Sequence, residues 1–179
     1  MAEKTAAPVV AGPHSLLEEA LESWRFAREG VRDELKNIPA ERMDFRPTPQ
    51  SRTVRELVQH ILEVSMMMTG ELTRPDTNLQ RAPWPKLLRL YAMEAYRSKT
   101  KAQLVRLLDS QLKQAEKKFR DAGELAILQF MTRFDGKQGS KLEWLHHGIA
   151  QEEYHRGQLA LYARLMGMEP ALTKAIKGQ

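Results

Sequence analysis

The chain has 179 residues, one ordinary domain's worth, with 42% hydrophobic and 28% charged side chains, a net charge of +5 and a pI near 9.5. Zero cysteines and five histidines exclude disulfide scaffolds, thiolate-bound zinc, iron–sulfur clusters and thiol nucleophiles, and leave His, Asp, Glu or an amide to hold any metal. No apolar run approaches the ~18 residues that cross a bilayer, and 23 acidic residues interleaved with 28 basic ones read as a solvated mixed-charge surface rather than a footprint for nucleic acid.

The first 13 residues, MAEKTAAPVVAGP, are small, Pro/Ala-rich and aperiodic. They read as a flexible leader over 1–13 ahead of a single domain over 14–179. The basic start and apolar core of a secretory signal are not found in them, so the expected address is cytoplasmic. Ser15-Leu16-Leu17-Glu18 has the pattern of a capping box. Leu17, Leu21, Trp24, Val31, Leu35 and Ile38 follow at helical spacing and predict a first helix of roughly 22 residues, which Pro39 ends. Thr53-Val54-Arg55-Glu56 opens a second helix with the stripe Val54, Leu57, Val58, Ile61, Ser65, Met68 and Leu72, stopping near Arg74-Pro75. Beyond Arg81-Ala82-Pro83-Trp84-Pro85, the segment Leu87 to Tyr96 reads as a short helical excursion. A third capping box, Thr100-Lys101-Ala102-Gln103, opens a helix carrying Leu104, Leu108, Leu112, Ala115 and Phe119. The apolar run Leu125 to Phe134 ends at the turn signal Asp135-Gly136 and reads as an extended segment or a hairpin arm. Ser140-Lys141-Leu142-Glu143 opens a fourth helix running to about Met166 and closing at Gly167, and Pro170 starts a short C-terminal helix. The expectation is an all-α four-helix bundle with a long crossover connection.

On a wheel of about 100° per residue, Trp144, His147, Gln151, His155, Gln158 and Tyr162 of the fourth helix fall within about 80° of one another. That sector reads as the interior face. Lys141, Glu152, Glu153, Arg156 and Arg164 lie elsewhere, and His146 points out with the charges. Buried polar groups on that face need partners, since each one left unpaired costs about 1–3 kcal/mol. His60 flanks the apolar stripe of the second helix, where a histidine on its own reads as a hydrogen-bonded core residue. Gln151 and His155 stand at i and i+4, a spacing that lets two side chains meet one ion. The segment Gln151-Glu152-Glu153-Tyr154-His155 is a His-Glu-x-x-His pattern with Gln in the first position. A metalloprotease reading fails on that loss and on Glu152, which the wheel places outward. Met66, Met67 and Met68 read as packing.

Thr53-Val54-Arg55-Glu56-Leu57-Val58-Gln59-His60 followed by Tyr154-His155-Arg156-Gly157-Gln158-Leu159 resembles the DinB-like family, the DinB/YfiT-like metalloenzymes. Phe45-Arg46-Pro47, Asp135-Gly136 and the run from Arg164 to Pro170 add to the resemblance, which spans roughly Ser15 to Pro170. It implies a four-helix bundle, commonly a homodimer, holding zinc or nickel with three histidines: one from the second helix and two from a His-x-x-x-His on the last. By position the ligands are His60, Gln151 and His155, with the middle histidine replaced by an amide, a neutral and weaker donor. His147 is the substitute ligand to consider. It stands about 12 Å along the axis from His155, so it pairs with Gln151 more readily than with His155. Gln158 and Tyr162 are expected either to orient His155 or to satisfy each other. The resemblance further implies a metal-dependent enzyme, a thiol-dependent transferase or one of hydrolase type, acting with a low-molecular-weight thiol or another small molecule; no catalytic base can be named. The alternative is a non-catalytic bundle that binds a small ligand or a partner, with a degenerate, metal-free site. DNA binding has only the basic pI behind it.

Overall fold

Ser15 opens the first helix, α1 (Leu16–Asn37), by accepting from the Glu18 backbone N–H at 3.2 Å. Glu18 does not reach back to close a capping box; it pairs with Arg120 at 2.8 Å. The structure, a computed structural model, describes residues 14–178, and the leader expected over 1–13 lies outside them. All the stripe residues of α1 are buried, from Leu17 to Leu35, and Ile38 caps the helix inside the core. A single 3-10 turn, Ala40–Arg42, follows Pro39. The second long helix, α2 (Val54–Leu72), starts at a reciprocal capping box between Thr53 and Glu56. Residues 73–100 form the crossover and contain two short helices, α3 (Trp84–Tyr91) and α4 (Met93–Arg97). The third long helix, α5 (Lys101–Ala122), opens at a second full capping box, Thr100 with Gln103. The run Leu125 to Phe134 divides between one helical turn, α6 (Glu124–Ile127), and a strand, β1 (Phe130–Thr132), paired antiparallel with β2 (Gln138–Ser140). Gly136 supplies the positive φ of 79° that the turn requires. The fourth long helix, α7 (Lys141–Leu165), runs from Ser140 to a left-handed Gly167, and α8 (Ala171–Lys177) completes the chain.

Both α1 and α2 pack against α5 and α7, so α1 and α2 occupy one diagonal of the bundle. Paired residues fix the directions. Arg25 with Glu116 and Arg32 with Asp109 run α1 against α5. His60 beside His155 and the Tyr162 hydroxyl on the Arg52 carbonyl run α2 against α7. Arg28 on Glu152 and Asn37 on the Glu169 carbonyl run α1 parallel to α7. It follows that α2 and α5 point the same way, which is why the chain needs the long crossover between them. The crossover is tied to α2 twice. Gln59 Nε2 donates to the carbonyls of Ala95 at 3.2 Å and Ser98 at 2.8 Å. The buried Glu71 carboxylate accepts from Tyr91 Oη at 2.7 Å and from Arg81. Gly70 lets the Tyr91 ring lie against α2, where a Cβ would overlap it.

The core divides into one cluster around Trp24, Met67, Phe119 and Leu145 and another around Val31, Ile61, Leu104 and Leu159. Between Trp24 and Val31, α1 carries Arg28, 1% exposed. Its five N–H groups all find acceptors. Nε and Nη2 donate to Glu152 at 2.8 and 2.6 Å, Nη1 to Gln111 Oε1 at 2.6 Å and the Leu108 carbonyl at 3.0 Å, and Nη2 also to Ser65 Oγ at 2.6 Å. Trp24 Nε1 donates to the same Glu152 oxygen at 2.6 Å. One ion pair therefore ties all four long helices together.

This network corrects the expected orientation of α7. Glu152, Lys141 and Arg156, expected on the outer side, are buried, whereas His147 is exposed. Lys141 Nζ donates to the Arg74 carbonyl at 2.6 Å, and Arg156 lies against Gly30 of α1, where a Cβ would overlap its guanidinium. The buried arc of α7 is centred about 90° from the sector its histidines and glutamines suggested. Wedged between α1 and α2, the helix hides charged side chains, of which α1 pairs Glu152, the crossover pairs Lys141, and Glu153 on α7 itself pairs Arg156. Among the described residues, no helix is long and apolar enough to cross a membrane.

Candidate functional site

The Thr53 capping box sets the start of α2, with Thr53 N donating to Glu56 Oε2 at 2.8 Å and Glu56 N to Thr53 Oγ1 at 3.1 Å. From that start His60 falls two turns along, at the edge of the apolar stripe. The antiparallel α7 brings His155 to it, and the two imidazoles meet edge to face, centroids 5.1 Å apart and planes at 80°. His155 is 6% exposed, and the His60 side chain is 18% exposed. The pair lies on one rim of the buried arc of α7, inside the bundle but close to its surface.

Each ring is held from behind at Nδ1. His60 Nδ1 is 2.6 Å from Glu63 Oε1, one turn along α2. The other Glu63 oxygen accepts from the Tyr96 hydroxyl, which α4 brings in from the crossover. His155 Nδ1 is 2.7 Å from Gln158 Oε1. Gln151, one turn before His155, is different: its amide oxygen and nitrogen are both buried and neither has a hydrogen-bond partner. Such a group costs about 1–3 kcal/mol.

Burial pushes the His155 imidazole below its ordinary pKa of 6.5, with the neighbouring His60 adding to the shift and the Gln158 hydrogen bond opposing it. The neutral form of His155, the form that carries a lone pair, is thus favoured. Burial also works against the charge of Glu63, but the hydrogen bonds from His60 and Tyr96 outweigh it and hold the carboxyl below its usual range. Burial and that carboxylate push the Tyr96 phenol up to about 12.

The structure thus brings His60, His155 and Gln158 together, with Gln151 on the adjoining turn, and separates two residues expected beside them. His147 faces solvent, 3.5 Å from Glu143 and with its ring tilted against Trp144, centroids 4.8 Å apart. The Tyr162 hydroxyl donates to the Arg52 carbonyl at 3.0 Å, and its ring packs on Phe45, so it does not orient His155. Glu63 and Tyr96 were missed. The His60-x-x-Glu63 spacing was a usable signal for the first; Tyr96 arrives through the crossover and had none.

Among the described residues, no three His, Cys, Asp or Glu side chains converge as metal ligands. The donor set open to an ion is two imidazole Nε2 atoms and one amide oxygen. The two rings lie close together, 5.1 Å between centroids, and would be the residues to hold an ion, each through the Nε2 that its Nδ1 contact leaves free. The orphaned Gln151 amide also fits a group that would complete it. Water or substrate would fill the remaining positions.

The sequence matches the model of the DinB family over residues 1–177. No curated protein matches it. Among solved structures the chain is similar to a DinB-like protein from Bacillus subtilis, with 17% identity, a TM-score of 0.63 and coverage of 83% of this chain and 92% of that one. It is similar to YfiT from Bacillus subtilis, described as a probable metal-dependent hydrolase with an unusual four-helix bundle topology, at 14% identity and a TM-score of 0.64 over 92% and 95% of the two chains. It is also similar to a mycothiol-dependent maleylpyruvate isomerase, at 15% identity and a TM-score of 0.64, covering 80% of this chain and 60% of that one. At these identities the likeness establishes the four-helix bundle, and the family match over nearly the full length places the chain in the DinB family.

Proposed function

We propose that this chain is a metal-dependent enzyme of the transferase or hydrolase kind, holding one divalent ion, zinc or nickel, at His60 Nε2, His155 Nε2 and Gln151 Oε1. The observation that carries this reading is the Gln151 amide, buried and unbonded one helical turn from His155. The likeness to YfiT, a probable metal-dependent hydrolase, supports it. A divalent ion in such a site lowers the pKa of a bound thiol or water and so supplies a nucleophile near neutral pH. The chain's own part is to present two imidazole lone pairs, held from behind by Glu63 and Gln158, in a niche with little access for bulk water. A low-molecular-weight thiol is the proposed co-substrate and a homodimer the proposed assembly.

Tag-free protein loaded with zinc or nickel should retain about one ion per chain after dialysis, and His155→Ala should retain little. Retention below ~0.1 ion per chain at saturating metal would overturn the proposal. Cobalt-loaded protein titrated with mycothiol or glutathione should develop a thiolate-to-metal charge-transfer band, and its absence would remove the thiol. Sedimentation velocity decides the dimer. A second reading, a non-catalytic bundle that binds a small ligand or partner, is favoured by the amide in the middle position and by the set of only two imidazoles. The same metal measurement separates the two.

A further inference from the structure

We infer that Glu63 and Tyr96 form a positioning pair that holds His60 as its Nδ1–H tautomer, with the bare Nε2 on the far side of the ring. For its use the inference rests on the metal reading above; for its geometry it does not.

A carboxylate can only accept, so the 2.6 Å contact of Glu63 Oε1 with His60 Nδ1 places the ring proton on Nδ1. A neutral imidazole carries one proton, and Nε2 is left as a lone pair. In water both tautomers are populated; here one is selected before any ligand arrives. The selecting group is itself fixed. Glu63 is 14% exposed at its side chain, so water competes little for it, and its second oxygen is taken by the Tyr96 hydroxyl. Tyr96 has little freedom to move either, because Gln59 grips the carbonyls of Ala95 and Ser98 on either side of it. Two α2 residues four positions apart, Gln59 and Glu63, thus clamp α4 and use it to brace the histidine between them. The arrangement is asymmetric. His155 is backed by the neutral Gln158 amide, whereas His60 is backed by an anion, which makes its Nε2 the stronger donor. That is the direction that would offset the weak, neutral donor at Gln151.

The test is a long-range 1H–15N spectrum of the metal-free full chain at mildly alkaline pH. His60 should show a protonated Nδ1 with a slowly exchanging proton and an unprotonated Nε2. In Glu63→Leu the tautomer should shift toward Nε2–H, and in Tyr96→Phe the Nδ1 proton should exchange faster. A wild-type ring protonated at Nε2, or an unchanged Nδ1–H signature in a folded Glu63→Leu, overturns the inference. If Glu63→Leu does not fold, the wild-type tautomer and the Tyr96→Phe exchange rate decide. Where the wild type takes up zinc, Glu63→Leu should weaken it about 10–100-fold, and an unchanged affinity would remove the positioning role. If the wild type takes up none, the metal reading fails while the tautomer is still decided by the spectrum.

Discussion

Gln151 is the residue on which the candidate site turns, because its amide is buried with neither end bonded. A histidine there would stand at i−4 to His155 and add a third imidazole. Gln151→His should therefore raise zinc affinity by about tenfold or more, since an imidazole is a better donor than an amide for this ion. Isothermal titration with zinc checks it, and an unchanged or lower affinity would show that the turn carrying residue 151 does not face the ion. The pairing of His60 with His155 was legible from the resemblance, and Gln158 beneath His155 from helical spacing. Tyr162 was misplaced because a wheel gives direction without distance, and His147 because the buried arc of α7 is turned away from the sector its histidines and glutamines suggested. Tyr162 does lie on the buried arc, yet its hydroxyl reaches the Arg52 carbonyl first.

At the scale of elements, the capping residues explain both what the sequence disclosed and how the site is held. All four long helices begin at the Ser or Thr read from the sequence, although only Thr53 and Thr100 close the reciprocal box. At the other two starts, Glu18 and Glu143 find arginines instead. The Thr53 box matters most because α2 carries His60. Thr53→Ala should cost about 0.5–2 kcal/mol, measurable as a lower midpoint in urea. The acid side of the stability curve should report the same box. The hydrogen bond donated by the Thr53 backbone N–H, with Arg46 and Arg52 adding to it, holds the Glu56 carboxyl below its ordinary value of 4.5. A carboxyl depressed in the fold contributes stability above its ordinary pKa, and that contribution disappears as pH falls through the folded value. Wild type and Glu56→Ala should thus differ at pH 7, with the difference shrinking as pH falls below 4.5 and through the folded value. Helix α7 was the element least legible in the sequence. The rule that charged residues face water failed at Glu152 and Lys141, which are paired inside, and at Arg156, which is buried over the Phe26 ring while its guanidinium reaches the more exposed Glu153. A sequence signal did exist on the partner helix: Arg28 occupies a stripe position of α1, between Trp24 and Val31, and a buried guanidinium requires a buried acid.

Across the whole molecule, the four-helix packing converges on that ion pair. Arg28 and Glu152 are each 1% exposed, and their hydrogen bonds reach Ser65 on α2 and Gln111 on α5. Removing one partner leaves an uncompensated buried charge, which typically costs 3–5 kcal/mol. Against a total stability of about 5–15 kcal/mol for a domain, Arg28→Met or Glu152→Leu alone should bring the bundle close to unfolding. The double variant should lose much less than the sum of the two. With both charges gone, Ser65 still donates to Gln111 at 2.9 Å, and Thr69 still accepts from it, leaving Trp24 Nε1 as the main unsatisfied donor. Urea unfolding of the four proteins gives the coupling directly, and additive losses would show that the pair acts as two independent packing residues. The pair also sets how the helices are registered on one another. Glu152 adjoins Gln151 and stands three residues before His155, so the register it imposes on α7 is the register that brings His155 to His60. The double variant should therefore recover stability without fully recovering the His60–His155 geometry. If metal uptake in the double variant equals that of the wild type, register is set by the apolar layers alone; reduced uptake at recovered stability assigns it to the buried ion pair.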